Sequence, residues 1–306
     1  MLTKDVKLKF SGHETFPLRH GWLLKAVTYI HENGKIRTSN DEDLQNAVVS
    51  MGVGKNMVSS IRYWCEISRV IRDDRLTQFA DLLFGNSTIE GVDRYLEAPS
   101  SMWLLHWAIN SNKAELTTSR WFFNHYNGQR FDKNSLIKAL ERDLSLTDVR
   151  VPARKTLEKD VDCFLQTYTT KNFEGKVSED SFASPLSELE LVFQGSGKVY
   201  RSDLADRDSL TDEVLLYCLD EFFRSNPQSG GYFAFDKLLT MSGSPARVFR
   251  LSERALSERI ERISGTYKGT ITWTDTQGLR AVQFNFDHDE DIFSLLNMKI
   301  KTEVSS

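Results

Sequence analysis

The chain has 306 residues, 27% of them charged and 40% hydrophobic, with a formal net charge of −4. That length suggests about two domains with enough chain to bury a sizeable core, and the negative balance excludes a polycation that coats nucleic acid with its whole surface, so any such contact must come from a local basic face. Three widely spaced cysteines, Cys65, Cys163 and Cys218, fit buried thiols in a reducing cytoplasm better than a disulfide frame, and the absence of a signal-peptide core or an apolar run of ~18 residues points to a soluble, cytoplasmic, non-membrane protein.

Residues 10–18, FSGHETFPL, mix glycine, proline and aromatics without periodicity and are expected to form a structured loop. Helical spacing of Trp22, Leu23, Ala26, Val27 and Ile30 predicts a helix from about Gly21 to His31, stopped by Gly34. Ser39 and Glu42 have capping-box spacing for a second helix, Asp41 to Ser50. A third is expected from Lys55 to about Ile67. The stretch RVIRDDRLTQFADLLFG then suggests strand, turn, short helical turn and strand. Three helices and a hairpin in that order are the winged helix-turn-helix plan.

The middle is expected to be helical, with helices opening at Pro99, within LTTSRWFFNHY, at Asp132, and from Pro152 to about Tyr168. A polar link, KNFEGKVSEDSFA, precedes a restart at Ser184-Pro185. The C-terminal part repeats the opening plan over about 205–286. It has a helix from Leu210 to Arg224, a short helix, a third helix in RVFRLSERALSERIERIS, and a hairpin bending near Gln277-Gly278. A short acidic-led helix is expected to close the chain. The predicted fold is therefore mainly α, with a winged-helix domain at 1–95, a helical middle at 96–204, and a winged-helix-like domain with a terminal helix at 205–306.

The densest local signal is MGVGKNMVSSIRYW, Met51 to Trp64. It is not a phosphate-binding loop: Val49 stands where the first glycine is needed, Asn56 replaces the hydroxyl that would hold magnesium, and a helix rather than a strand precedes it. As a turn between helices it makes physical sense. The glycines permit a tight backbone, and Lys55 and Asn56 then sit at a helix N-terminus that attracts phosphate. Ser59, Ser60 and Arg62 are expected to face outward. Four basic residues stand against Glu66 alone between Lys55 and Arg72, as local DNA docking requires; a winged domain used only for protein contacts remains the alternative. In the second module Arg247, Arg250 and Arg254 are candidate DNA contacts, with Arg259 and Arg262 beside them, although intrahelical pairs with glutamates explain part of this pattern. Residues 203–221 are strongly acidic and better suited to a protein partner.

Taken together, FSGHETFPLRHGWL, MGVGKNMVSSIRYW, WLLHW and GSPARVF resemble the bacterial family known as domain of unknown function 4007, over roughly 8–286. Its members resemble the SspB-type DNA-nicking component of single-strand phosphorothioation systems, which replace a nonbridging phosphate oxygen with sulfur and serve phage defence. The resemblance implies double-stranded DNA as ligand, with a cysteine desulfurase, an ATPase and a sulfur-transfer protein as partners. The alternatives are a non-catalytic DNA-recognition subunit and a winged-helix protein-interaction scaffold. A homodimer is also expected, because winged modules often read DNA as symmetric pairs.

If the protein is a nicking endonuclease, His13 and Glu14 are the catalytic candidates, since a histidine beside a carboxylate can hold a divalent ion (magnesium or manganese) or activate water. The same pair could instead fix the loop by hydrogen bonds. Asp162 followed by Glu174-Gly175-Lys176 mimics a nuclease pattern in the wrong structural context, and Asp287 to Asp291 form an acidic cluster that could hold a cation or cap a helix. His106, on an apolar helix, fits a hydrogen-bonded core histidine.

Overall fold

The computed structural model describes residues 7–113, 115–169, 184–276, 278–286 and 291–305. A short strand, β1 (Lys7–Leu8), is followed by the 10–18 loop and helices α1 (Trp22–Asn33), α2 (Asp41–Met51) and α3 (Lys55–Ile67). A hairpin, β2 (Ile71–Arg72) and β3 (Arg75–Leu76), leads into α4 (Gln78–Phe84). Next come α5 (Pro99–Ser111), β4 (Glu115–Leu116), α6 (Thr118–His125), β5 (Arg130–Asp132), α7 (Lys133–Ser145), α8 (Arg154–Tyr168), β6 (Phe193–Gln194) and β7 (Val199–Arg201). The remainder is α9 (Asp212–Arg224), β8 (Tyr232–Ala234), α10 (Phe235–Thr240), α11 (Pro245–Val248), α12 (Glu253–Thr266), β9 (Ile271–Thr276), β10 (Leu279–Phe284) and α13 (Ile292–Val304). The protein is mainly helical, as expected, and no described helix is long and apolar enough to cross a membrane.

Local chemistry fixes most helix ends. Asp132 and Ser135 form a reciprocal capping box at α7, and Thr117, Thr211 and Ser252 cap α6, α9 and α12 by accepting a backbone N–H three residues on. The cap of α2 is Asn40, not the expected Ser39 box.

Three further expectations fail. The last strand predicted after α3 is instead α4, because Thr77 caps it and Ala80, Leu82, Leu83 and Phe84 all bury in a helix. The long third helix predicted in the C-terminal part is broken into α11 and α12, where Arg250 takes φ 51 and Ser252 starts a new cap. The middle is not purely helical: β7 pairs antiparallel with both β5 and β6. In addition, β1 pairs in parallel with β4, which ties the start of the chain to the middle. The link at 171–183, Gln277 and the acidic residues 287–290 lie outside the described residues.

The core is organised around α5, every residue of which from Ser100 to Asn110 is buried. A helix buried all round must satisfy its polar side chains internally, and His106 does so. Its Nε2 lies 2.8 Å from the Val248 carbonyl oxygen, which can only accept, so Nε2 carries the proton. Nδ1 is then the acceptor for Tyr168 Oη at 2.9 Å and Asn110 Nδ2 at 3.0 Å. Ser119 extends the network to Asn110 Oδ1. The histidine thus joins α5, α8 and α11. The three cysteines are free and buried, and burial raises their thiols, which disfavours the reactive thiolate.

Burial pushes the His106 imidazole down from its ordinary 6.5 to about 3. Burial, with help from Arg120, lowers His125 to about 4. Between those values and 6.5 the unfolded chain binds the extra protons, so stability falls as pH drops through this window. Thermal melts should therefore show a decreasing Tm from pH 7 to pH 5. His106→Phe should lower stability at pH 7 by about 1–3 kcal/mol, since it leaves buried polar partners unpaired, and should flatten the acid slope. A wild-type Tm that does not change over this range would contradict the neutral, buried imidazole.

Candidate nucleic-acid interface

The turn between α2 and α3 is built as its glycines require. Gly52 adopts the left-handed conformation (φ 62) and closes α2 through its N–H, while Gly54 is extended and α3 starts with no side-chain cap. Lys55 and Asn56 are exposed at this helix N-terminus. Lys55 lies 3.4 Å from Asp41, but both side chains are largely in water, at 60% and 94% exposure, and a pair of that kind is easily exchanged for another anion.

The rest of α3 departs from expectation. Ser59 is half-buried, and Ser60 is fully buried, with an Oγ that finds no partner among the described residues. The reason is a second cover. Beyond the stripe of Val58, Ile61 and Cys65, the 10–18 loop and Lys9 before it lie over the adjoining side: Trp64 Nε1 donates to the Phe16 carbonyl and Tyr63 Oη to that of Lys9. Gly12 makes this approach possible, because a Cβ there would fall 2.4 Å from the Tyr63 ring. Arg62 does not face outward to grip a phosphate. It donates to Glu66 and Asp74, both at 3.0 Å, and to the Ile36 carbonyl. Burial would raise the Glu66 carboxyl, but hydrogen bonds from Lys9 and Arg62 outweigh it and hold the group below its ordinary value. Arg62 is thus a strut between α3 and the hairpin.

The hairpin supplies what Arg62 does not. Asp73 and Asp74 take φ 52 and 61, the two positive angles of a tight two-residue turn whose twist suits antiparallel strands. The register places Arg72 directly opposite Arg75. Both are exposed, and among the described residues neither reaches a carboxylate at ion-pair distance. Like charges facing each other across strands repel, so a polyanion bound here would relieve that repulsion.

His13 and Glu14 do not converge. His13 is buried, and its Nδ1 accepts the Thr15 N–H, so its Nε2–H donates to Asp160 Oδ2 at 3.0 Å. The same carboxylate oxygen accepts the Ser11 N–H. Glu14, with φ 49, is exposed to solvent. The pair therefore does not fit a shared divalent ion, because both ring nitrogens of His13 already have partners. No group of three metal-ligating side chains converges among the described residues. Asp162 sits mid-helix in α8, paired with Lys133 at 2.6 Å, while Glu174, Gly175 and Lys176 lie outside the described residues.

The C-terminal arginines are also engaged. Arg247 donates to Asn127 Oδ1 and the Asn124 carbonyl. Arg250 is buried over Phe122, donates to the Ser202 carbonyl, and is pushed down to about 10 by burial. Arg254 is exposed but held by Asp206 and Glu258. Arg259 and Arg262 meet Asp212. Asp206 and Asp212 of the acidic stretch are thus the carboxylates that meet Arg254, Arg259 and Arg262 of the basic helix. Glu221 points elsewhere, accepting from Arg69, from Trp107 Nε1 at 2.6 Å and from Tyr217 Oη at 2.9 Å. Sequence reasoning missed Arg75, Asp74 and Asp160. The Asp-Asp turn could have flagged the first two, whereas Asp160 meets His13 across 147 positions and leaves no local trace.

A family described as "Protein of unknown function (DUF4007)" matches residues 10–299. Two solved structures are similar over nearly the whole chain. A magnesium ion-bound SspB crystal structure has a TM-score of 0.79 and 26% identity, covering 98% of this chain and 90% of that one. A second SspB crystal structure has a TM-score of 0.76 and 26% identity, covering 97% and 88%. No curated protein matches the chain.

If Arg62 is a strut, Arg62→Ala should lower stability by about 1–2 kcal/mol in urea denaturation and leave DNA affinity of the folded protein within twofold. A variant of unchanged stability that has lost DNA binding would return Arg62 to the interface.

Proposed function

The chain belongs to the DUF4007 family, and from that membership we propose that it is the DNA-engaging component of a bacterial phosphorothioation system and nicks one strand of duplex DNA. The chain-long likeness to SspB carries this reading. A nick would free a strand so that sulfur-transfer partners reach a phosphate, and the cysteine desulfurase, ATPase and sulfur-transfer protein expected from the family resemblance are the proposed partners. In this reading α2, α3 and the β2–β3 hairpin act as a winged helix in the cytoplasm, and two copies pair on the duplex. The α3 tip, with Lys55, Asn56 and its free N–H groups, takes one phosphate. Arg72 and Arg75 on the hairpin take others and replace Arg62 in that role. The magnesium or manganese that nicking is expected to use is assigned no ligands, since His13 and Glu14 diverge.

That divergence favours a second reading, a non-catalytic subunit that recognises DNA. Purified protein on supercoiled plasmid, across a magnesium and manganese series, separates the two. Open-circle product that depends on the metal supports the nickase; salt-dependent binding without product leaves only the recognition subunit. Nicking by Glu14→Ala at the wild-type rate would remove Glu14 from catalysis. Joint replacement of Lys55, Arg72 and Arg75 by alanine should weaken duplex binding about tenfold or more at low salt and shallow the salt slope by about one unit per lost phosphate contact. Unaltered binding by a folded triple variant would reject this surface.

A further inference from the structure

The β5–β7–β6 sheet has a second surface that the duplex reading does not use. Cross-strand partners share a face, so the register Arg130↔Arg201↔Phe193 sets these three side chains in one row across all three strands. Asp132 and Val199 stand behind them on the same face. The opposite face carries Phe131, which is buried and packs on Phe122. The outer face is open: Arg130, Asp132, Phe193, Val199 and Arg201 are all exposed, and no described element covers them. The face thus sets an exposed aromatic on the edge strand beside Arg201 and a valine behind that arginine.

The charges on this face are satisfied only in part. Arg130 faces Arg201 directly, which is repulsive, and reaches no carboxylate at ion-pair distance among the described residues. Arg201 is held by Asp203 at 2.7 Å, and its guanidinium lies over the Phe193 ring, 5.8 Å from the centroid. Asp132, the acid on this face, accepts the N–H groups of Asn134 and Ser135 as the cap of α7 and so is directed toward that helix. Lys198, exposed at the turn leading into β7, adds another cation.

We propose that this face seats a single DNA strand, with phosphates on Arg130 and Arg201 and an unstacked base on Phe193. Charge complementarity selects a polyanion, and the exposed aromatic selects one whose bases are free to stack. A duplex hides its base faces and has no use for Phe193. Naming the strand as DNA rests on the proposed function, in which a nick releases one; the cationic, aromatic character of the face does not depend on it.

Fluorescence anisotropy with a labelled 12-nucleotide single strand, the same sequence as duplex, and its RNA counterpart tests the assignment in the full-length protein. Phe193→Ala should weaken single-strand DNA binding roughly tenfold, and Phe193→Leu, which keeps apolar bulk without the ring, should weaken it similarly. Arg130→Ala should weaken it severalfold and reduce the salt slope by about 0.7. Duplex affinity should stay within twofold in all three. The proposal is overturned if Phe193→Leu binds like wild type, if Phe193→Ala and Arg130→Ala both leave single-strand affinity within twofold, or if RNA binds more tightly than DNA. Wild-type protein that binds duplex but no single strand overturns it while leaving the proposed function intact. Single-strand binding without any duplex binding does the reverse.

Discussion

A neutral imidazole at the centre of a fully buried helix is the constraint on which the rest of the architecture depends. His106 must donate to a carbonyl of α11 and accept from a tyrosine of α8 at the same time, which only its uncharged form can do. The elements that follow the 171–183 link are thereby fixed against those that precede it. A second node, where Arg69 and Trp107 converge on Glu221, ties the turn between α3 and β2 to α5 and α9. The hairpin beside Arg69 is therefore anchored to α5 and α9 at its base, which matters for any surface that must match the spacing of phosphates.

The sequence spoke clearly wherever a signal was local and long. The bounds of α3, the cap of α7 and the buried state of His106 all follow from spacing, side-chain chemistry and an apolar context within a few residues. It spoke poorly where partners are distant. Arg62 reads as an outward cation until Asp74 and the Ile36 carbonyl are placed beside it. Ser60 reads as exposed but is fully buried, one turn from the Tyr63 and Trp64 that the 10–18 loop covers. The break between α11 and α12 depends on a buried Arg250 reaching Ser202, 48 positions away. Strands of two or three residues, as in β5, β6 and β7, are too short for alternation to register.

Charge gave the most instructive error. An acidic run and a basic helix, each read in isolation, suggested separate partners for the C-terminal part. In the folded chain Asp206 and Asp212 pair with that helix while Asp203, Asp220 and Glu221 pair with other arginines, and the net charge of the region says little about what it presents outward. The informative quantity is the charge left after internal pairing. Among the described residues, two antiparallel registers set arginine against arginine, at Arg72/Arg75 and at Arg130/Arg201. Both lie on exposed strands.

The parallel pairing of β1 with β4 and the His13–Asp160 contact impose an order on folding during synthesis. The opening loop rests on a carboxylate that the ribosome delivers about 150 residues later, so a nascent chain can form α1 to α3 but cannot seat the loop that covers Tyr63 and Trp64. Until α8 emerges from the exit tunnel, that flank of α3 lacks its native cover.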